Sequence, residues 1–334
     1  MNILFYASSS NEYDSLNIER RRFPSVTQEW IELASIHPEH DFIIVTQLPS
    51  PFLTDLNSSD SSDDFFGIEQ KLCPNLCKKI LAPMDAKNFT KEIIAFKPDL
   101  CIASTFWITP FDWLPINDAM IAEEVKTLGI KTFCHPTESS FICFDKVRTH
   151  LFLEQNDFAV PQAVYVNHLQ YWGERPHKEI KTNVYKNYIL SKVSKMRFPV
   201  IIKDTVGLSS YSMEVAVSFN QALAYLNSGR SSTDRIVEEF MQGLQFGTEI
   251  YGFPGNYTVM PPFLFSVNKY GITSPKQCIK LGPVTAPSFH IKELKQMLTS
   301  LAEKLSLRGI AQVDLVFTKE GWRIIEINPR LSGM

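Results

Sequence analysis

The chain has 334 residues, of which 44% are hydrophobic, so it is long enough to form two or three domains with sizeable buried cores. Its net charge of −3 gives no reason to expect a nucleic-acid partner. No apolar run approaches the ~20 residues needed to cross a bilayer, and the amino terminus, MNILFYASSS, lacks the basic start of a signal peptide. We therefore expect a soluble, cytoplasmic protein without a membrane partner.

The first 134 residues alternate between strand-like and helix-like segments. Apolar runs predict strands at 3–7, 42–47, 99–103 and 130–134. Helical patterns lie between them, which is typical of an open, mostly parallel α/β sheet. Gly67 is the only glycine in the first 128 residues, whereas a dinucleotide fingerprint needs several glycines at a strand-to-helix turn. We expect this part to bind a small substrate or a partner, and a sugar-nucleotide transferase is disfavoured for the same reason.

Two helix starts follow. Asn117 and Asp118 are predicted to cap a helix, and Asp145 before Lys146 is predicted to begin a second, amphipathic one. Taken alone, the second pair is an ordinary helix start. The segment 170–196 is basic, aromatic and irregular, and we expect an insertion that either folds over a ligand or lies in solvent.

The stretch FPVIIKDTVGLSSYS, at 198–212, predicts a strand that ends in Lys203 and a flexible loop that contains Gly207, Ser209 and Ser210. With a return strand, this forms a hairpin whose tip could close backbone N–H groups over phosphates. It is not a P-loop, because no Gly-Lys-Ser/Thr enters a helix.

The strand IVEEF, at 236–240, carries the consecutive acids Glu238 and Glu239. Two interpretations stay open for it. The strand is an exposed edge, or the backbone after it hydrogen-bonds an adenine edge while an acid holds the ribose hydroxyls.

The closing segments AQVDLVF and WRIIEIN predict a β-hairpin with polar residues on apolar strands. Side chains alternate along a strand, so Gln312 shares a face with Asp314, and Glu326 shares one with Asn328. A three-residue turn at 319–321, with glycine in the left-handed position, pairs Asp314 with Glu326 and Gln312 with Asn328. A turn of two or four residues would place Asp314 and Glu326 on opposite faces.

Facing carboxylates repel each other unless a cation lies between them. Oxygen ligands such as these suit Mg²⁺ or Mn²⁺, and Arg330 just beyond the hairpin adds the guanidinium that a phosphate-transferring site needs. The alternative is a hairpin whose polar face meets water.

The order of these parts resembles the ATP-grasp superfamily, in particular carboxylate–amine ligases such as D-alanine–D-alanine ligase, and the closing motif resembles the carbamoyl phosphate synthetase large chain. The resemblance runs from residue 135 to 334 and rests on Asp-Lys before a helix, FPVIIK before a Gly/Ser loop, EEFMQG and EINPR. It implies an amino-terminal open α/β domain (1–134), a central lid subdomain (135–240) and a carboxy-terminal metal-binding subdomain (241–334). Relatives continue past EINPR with further helices, so the resemblance implies a truncated last subdomain.

The resemblance also implies an ATP site, in which two lysines hold the phosphates, the Gly/Ser loop closes as a lid and the segment after Glu238 binds adenine. Its members are Lys146, Lys203, Gly207, Ser209, Ser210, Glu238, Glu239, Phe240, Met241, Gln245 and Glu249. Where many relatives have a glutamate on the ribose, this chain has Gln245, so Glu249 or Glu239 is the alternative ribose ligand.

By the same resemblance, Asp314, Glu326 and Asn328 are the Mg²⁺ (or Mn²⁺) ligands, and Arg330 acts with Lys203 as the catalytic pair at the transferred phosphate. D-alanine–D-alanine ligase has an arginine two residues before its metal-binding aspartate, where this chain has Gln312. Arg330 is therefore expected to neutralise the oxyanion.

The implied activity joins a small-molecule carboxylate to an amine through an acyl phosphate, with ATP converted to ADP and phosphate, and a homodimer is a further expectation. Two alternatives are a bicarbonate-using carboxylase and a nucleotide-binding protein without catalysis. Selectivity is expected in the amino-terminal domain, in the 170–196 segment and in residues 261–282, where Lys276 and Lys280 face either substrate acids or solvent.

Overall fold

The computed structural model describes most of the chain, and three β-sheets follow one another within that part. The described ranges are 1–8, 26–47, 67–82, 84–105, 113–173, 181–207, 213–230, 233–268, 271–273 and 278–331. The lid residues Ser209 and Ser210, and Lys276, lie outside them. No helix within these ranges combines the length and the apolar character that a bilayer crossing requires.

The first sheet holds the amino-terminal part in the strand order β3-β4-β2-β1-β5-β6. Its strands are β1 (Asn2–Ala7), β2 (Asp41–Gln47), β3 (Glu69–Cys73), β4 (Leu76–Leu81), β5 (Leu100–Ala103) and β6 (Lys131–Phe133). All pairings are parallel except that of β3 with β4. The helices are α1 (Thr27–Ile36), α2 (Ala86–Ala95) and α3 (Leu114–Thr127). The predicted α/β class is confirmed.

Helix α3 begins earlier than predicted. Its first residue is Leu114, so Asn117 and Asp118 lie inside the helix instead of capping it. Asp118 is only 2% exposed. Its carboxylate accepts hydrogen bonds from the backbone N–H of Ser8, at 3.1 Å, and from the hydroxyls of Ser8 and Thr105. The residue therefore fastens the helix to the carboxyl ends of β1 and β5.

The second sheet is antiparallel, in the order β7-β10-β8-β9. Its strands are β7 (Ala163–Val166), β8 (Val200–Asp204), β9 (Glu214–Ala216) and β10 (Arg235–Glu239), with helices α6 (His168–Trp172), α7 (Val184–Val193) and α8 (Phe219–Leu226) around it. Strands β8 and β9 pair, as the lid hairpin requires.

The segment predicted as an irregular insertion contains the helix α7. Asn183 caps it by accepting from the backbone N–H of Lys186 at 2.8 Å. Ile189 and Val193, one turn apart, are buried in the core of the second sheet. Amphipathic spacing thus outweighs the basic and aromatic composition on which the irregular prediction rested.

The third sheet has the order β14-β13-β11-β15-β16, with β12 paired to β11. Its strands are β11 (Leu244–Phe253), β12 (Asn256–Val259), β13 (Phe263–Phe265), β14 (Lys280–Leu281), β15 (Gly309–Thr318) and β16 (Gly321–Asn328). The surrounding helices are α4 (Thr137–Phe144), α5 (Lys146–Gln155), a 3₁₀ turn (Pro287–Phe289) and α9 (Ile291–Lys304). Helices α4 and α5 precede the second sheet in the chain, yet Cys143 and Leu153 pack into the core of the third.

The turn between β15 and β16 is shorter than predicted. Thr318 pairs with Gly321, so the turn has two residues and the three-residue prediction is wrong. Asp314 nevertheless pairs with Glu326, because a β-bulge leaves Ile325 as an extra residue on β16. The bulge restores the register that the short turn would have lost.

The core explains why the bulge is needed. Strict alternation along β16 would put Trp322 and Ile324 on the same face as Glu326. With the bulge, Trp322, Ile324 and Ile327 all pack in the buried cluster beneath the sheet. Glu326 lines the cleft above the sheet, so the strand buries its apolar residues and still presents this carboxylate.

His135 connects the first and third sheets through two hydrogen bonds. Its Nδ1 accepts from the backbone N–H of Arg308 at 3.1 Å, so Nε2 carries the hydrogen and donates to the carbonyl of Ile310 at 2.9 Å. Burial lowers the pKa of His135 to about 4, which keeps the ring neutral. A second link joins the backbone N–H of Leu331 to the carbonyl of Thr105 at 3.3 Å.

Candidate functional site

A cleft of about 970 Å³, counting the part that opens to solvent, lies between the second and third sheets. Cavities of this size are typical of sites for small molecules and cofactors. Ten of the residues predicted for ATP or metal binding line it, namely Lys146, Lys203, Gly207, Glu238, Glu239, Phe240, Met241, Gln245, Asp314 and Glu326. The fold therefore brings together residues from α5, the lid hairpin, β10 and the closing hairpin.

Lys146 connects the predicted lid loop to the closing hairpin. Asp145 caps α5 by accepting from the backbone N–H of Val147 at 2.8 Å, which places Lys146 in the first turn. The Nζ of Lys146 donates to the carbonyl of Gly207 at 3.1 Å and lies 3.1 Å from Oε1 of Glu326. One ammonium group thus contacts both walls of the cleft.

Lys203 is held by a buried acid. Its Nζ donates to Oε2 of Glu238 at 2.6 Å, while Nδ1 of His150 lies 3.2 Å from the other oxygen of that carboxylate. Burial by itself raises the pKa of Glu238, but Lys203 and His150 outweigh it and bring the value down to about 2. Glu238 is therefore ionised at neutral pH.

His150 was not predicted as a site residue. It lies four residues after Lys146 on α5, a spacing that places two side chains on one face of a helix. This spacing was the only feature of the sequence that could have pointed to His150. It does not indicate a function by itself, because the contact with Glu238 cannot be seen in the sequence.

Asp314 and Glu326 have different electrostatic environments although they face each other. Burial and the charge of Glu326 together raise the pKa of Asp314 to about 7, against the hydrogen bond from Gln312, whose Nε2 donates to Oδ1 at 2.9 Å. Burial also opposes ionisation of Glu326, but Lys146 outweighs it and lowers that pKa. At neutral pH Glu326 is therefore ionised, whereas Asp314 is close to the midpoint of its titration.

This donor set fits a hard divalent cation. Among the described residues, no group of three or more His, Cys, Asp and Glu side chains converges as a metal site. The candidate set instead combines the carboxylates of Asp314 and Glu326 with the amide oxygen of Asn328. Such oxygen ligands suit Mg²⁺ or Mn²⁺, which retain water molecules and share phosphate oxygens with a nucleotide.

Arg330 lies beyond the closing hairpin and is 9% exposed. Its Nη2 donates to Oδ1 of Asn328 at 3.1 Å, and its charge lowers the pKa of both Asp314 and Glu326. Arg330 also lines a second cavity of about 350 Å³.

The second cavity lies where the first and third sheets meet, with Thr105 and Asp118 on one side and Arg330 on the other. The order of the first sheet reverses between β1 and β5, and ligands of open α/β sheets bind at the carboxyl ends of strands at such a point. Burial raises the pKa of Asp118 to about 7, so this cavity contains a carboxyl that changes charge near neutral pH.

The three candidate ribose ligands are placed differently. Gln245 and Glu239 line the cleft. The described lining of the cleft does not include Glu249. Glu249 accepts a hydrogen bond from the hydroxyl of Tyr251. Glu239 accepts from the backbone N–H of Arg197 at 2.9 Å, and Gln245 donates its amide to the carbonyl of Gly271.

A segment that was not predicted to bind nucleotide also lines the cleft, through Phe265, Ile272 and Thr273. Gly271 in this segment has a φ of +77°, and a Cβ there would lie 3.0 Å from Cζ of Phe240. The positive φ favours glycine, and the close approach joins the segment to the predicted adenine-binding residues. The sequence offers only a Tyr-Gly turn as a signal, and that turn has no specific function.

Comparisons with known proteins agree with this fold. Residues 143–334, more than half of the chain, match the family model of the ATP-grasp domain. The chain is 25% identical over 141 residues to a carbamoyl-phosphate synthase from Methanobrevibacter smithii, which covers 42% of the chain and 38% of that protein. It is 26% identical over 203 residues to a D-alanine–D-alanine ligase from Buchnera aphidicola, which covers 59% of the chain and 61% of that protein. The matches thus span less than two thirds of each relative.

Solved structures share the fold over nearly the whole chain. A D-alanine–D-alanine ligase from Bacillus anthracis superposes with a TM-score of 0.61 at 12% identity and covers 98% of this chain and 86% of its own. An L-amino acid ligase from Bacillus licheniformis gives 0.62 at 15% identity, with coverages of 99% and 67%. Together with the family match, these findings confirm the resemblance read from the sequence motifs, and the chain belongs to the ATP-grasp family.

Proposed function

We propose that the protein is an ATP-dependent ligase that joins a small-molecule carboxylate to an amine through an acyl phosphate. The observation that carries this proposal is the meeting of Lys146, Lys203, Asp314 and Glu326 in one cleft. Cations for phosphate groups and oxygen ligands for a divalent metal are the two parts that phosphoryl transfer requires.

In the first step, a carboxylate oxygen of the substrate attacks the γ-phosphorus of ATP. The bond from that phosphorus to the β,γ-bridging oxygen breaks, and ADP leaves. Lys146, Lys203 and Arg330 neutralise the charge that moves between phosphate oxygens. A bound Mg²⁺, held by Asp314, Glu326 and Asn328, would supply further positive charge at the same oxygens.

In the second step, the amine attacks the carbonyl carbon of the acyl phosphate. The bond from carbon to the phosphate oxygen breaks, the amine loses its proton to solvent, and inorganic phosphate leaves. Water would hydrolyse the same intermediate, so the loop 206–212, part of which lies outside the described residues, is proposed as the lid that excludes water.

The carboxylate substrate is proposed to lie in the second cavity, next to Arg330. This position would bring its oxygen towards the metal ligands while the rest of the molecule contacts the amino-terminal domain. The hydroxyl of Thr105 and the carboxyl of Asp118 supply polar groups there. The arrangement supports a role of the first domain in substrate choice.

The experiment is a phosphate-release screen with ATP, Mg²⁺ and pairs of amino acids, with the Glu326→Gln variant as the blank. We expect phosphate release that requires both members of a pair and an amide product of the corresponding mass. Release that requires bicarbonate and no amine would favour a carboxylase instead. Nucleotide binding without ADP formation in every pair would favour a binding protein without catalysis.

A further inference from the structure

Three side chains form a buried row that begins at the wall of the nucleotide cleft, which Lys203 and Glu238 line. Lys203 on β8 contacts one oxygen of Glu238 on β10 at 2.6 Å, and His150 on α5 contacts the other oxygen at 3.2 Å. The side chains of Lys203, His150 and Glu238 are 10%, 11% and 12% exposed. The carboxylate therefore has two cation-forming neighbours, only one of which faces the proposed phosphate site.

The contact defines the state of the imidazole. An ionised carboxylate accepts hydrogen bonds and cannot donate them, so Nδ1 of His150 carries a hydrogen. In the neutral ring, Nε2 is then unprotonated. The ring can become a cation by adding a proton to Nε2, and the bond to Glu238 is kept.

Four other charged residues on α5 and β10 have contacts of their own or lie in solvent. The contacts are those of Lys146 with Glu326, of Arg148 with the ring of Phe141, and of Glu239 with Arg197. Glu154, one turn further along α5, is exposed. Glu238 is thus the acid with which a charge on His150 interacts most directly.

We propose that nucleotide binding makes His150 take up one proton from solvent. The phosphates of the nucleotide carry more negative charge than Glu238 and attract the ammonium group of Lys203. The interaction of Lys203 with Glu238 is thereby weakened. The buried carboxylate cannot be left without a counter-charge, and the imidazolium of His150 supplies it. His150 is then a positioning residue, which acts through Glu238 and lets Lys203 turn to the phosphates.

The ionisation of Glu238 supports this order of events. Burial favours its neutral form, but Lys203 and His150 bring its pKa to about 2, so the carboxylate is ionised before the nucleotide binds and needs a replacement for Lys203 afterwards. The inference rests on the proposed nucleotide site and requires no ligase turnover.

The test is calorimetric titration of ADP, without divalent cation, in two buffers that differ in their ionisation enthalpy. The series covers about pH 6.5 to 8.5, where an imidazole changes charge. We expect the wild-type protein to take up a proton, up to one per ADP, and His150→Asn to take up none. The asparagine amide can still donate to Oε1 of Glu238, so the variant keeps a hydrogen bond at this position. It loses only the group that can take up a proton.

The decisive quantity is the difference in proton uptake between the wild-type protein and His150→Asn. Any proton taken up by ADP itself contributes equally to both and cancels. Equal proton uptake in both, or none in the wild type across the series, overturns the inference. If ADP does not bind at all, the proposed nucleotide site fails as well, whereas binding without the difference refutes only the role of His150.

A second measurement does not depend on the stability of a variant. NMR titration of the imidazole of His150 in the wild-type protein, with and without ADP, follows the same proton. We expect the midpoint to move to higher pH when ADP is bound. A midpoint that stays in place, or moves to lower pH, contradicts the inference.

Discussion

Asp314 faces Glu326 across β15 and β16, although the turn between these strands is one residue shorter than their alternation requires. The extra residue Ile325 corrects the register immediately beside the pair. Burial and the charge of Glu326 raise the pKa of Asp314 to about 7, so the structure holds two carboxylates together against their repulsion. A site that maintains such a pair is suited to bind a cation between them.

Replacing Glu326 with glutamine tests this assignment. The side chain keeps its shape but loses the charge that a divalent cation requires. We expect Mn²⁺ binding to weaken and ADP formation to fall by about 10²-fold or more, the size of effect seen when one electrostatic contribution to a transition state is lost. Mn²⁺ binding is measured by electron paramagnetic resonance and ADP by a coupled assay.

The matched control is Glu320→Gln, in the turn of the same hairpin, where the side chain is exposed. This variant is expected to bind Mn²⁺ and form ADP like the wild type. Unchanged turnover in Glu326→Gln would refute the metal assignment.

Replacing Lys203 with methionine removes the closest cation from the buried Glu238. Leaving one member of a buried ion pair without its partner costs about 3–5 kcal/mol, so we expect a loss in the free energy of unfolding that is large at alkaline pH and smaller at acidic pH, where a proton on His150 replaces the missing charge. The double variant Lys203→Met/Glu238→Gln removes both charges and is expected to regain most of that loss. Urea unfolding measures both effects.

The same two variants separate stability from binding. ADP binding, measured by calorimetry, is expected to stay weak in the double variant, because the cation for the phosphates is still missing. If the double variant is no more stable than Lys203→Met, the contact with Glu238 does not explain the loss. If it binds ADP like the wild type, Lys203 has no role at the phosphates.

The sequence was sufficient to predict residues whose role depends on their own strand or helix. Period-two alternation placed Glu326 with Asn328, and Asp145 was correctly predicted to begin the helix that carries Lys146. The turn prediction was wrong because it rested on the residues of the turn alone. The observed turn is shorter, and the bulge on β16 lets Trp322 and Ile324 be buried in the core. Packing of the core, and not the local preference of the turn residues, therefore determines the register of this hairpin.

Residues whose role depends on distant contacts could not be predicted. His150 and Glu238 are 88 positions apart and meet only because α5 packs beside the second and third sheets. Asp118 has the residue type of a helix cap, but its partners Ser8 and Thr105 follow the strands β1 and β5, which are distant in the sequence. Local preference therefore gave the wrong role for Asp118 and no role for His150.

Asp118 makes the stability of the protein depend on pH. Its pKa is about 7 in the folded protein and close to 3.8 in an unfolded chain, so the folded state binds more protons between these values. The contribution of Asp118 to the free energy of unfolding must then fall as pH rises from about 4 to about 7, whereas the lowered pKa of His135 acts in the opposite direction. At 1.36 kcal/mol for each pKa unit, the loss is at most about 4 kcal/mol.

Asp118→Asn removes this titration and keeps the size of the side chain. We expect the decrease in unfolding free energy between about pH 5 and 8 to become smaller in the variant, as measured by urea unfolding at each pH. Asp41→Asn, at an exposed position, is the control and is expected to retain the wild-type slope. An unchanged slope in Asp118→Asn would show that another group causes the pH dependence.

Gln245 has two possible roles, and its glutamate variant distinguishes them. As a ribose ligand, it serves through its carbonyl oxygen, which a glutamate would replace and strengthen. In the structure its amide nitrogen donates to the carbonyl of Gly271, and so fastens the segment that lies against Phe240. A glutamate would turn a negative oxygen towards that carbonyl and lose the bond.

We therefore expect Gln245→Glu to bind ADP about 10-fold more weakly, the factor that corresponds to the loss of one hydrogen bond of about 1.4 kcal/mol. Gln245→Met removes the donor without adding charge and is expected to have a smaller effect. Calorimetric titration of ADP measures both. ADP binding by Gln245→Glu that equals or exceeds that of the wild type would mean that the residue acts on the ribose and that its bond to Gly271 is incidental.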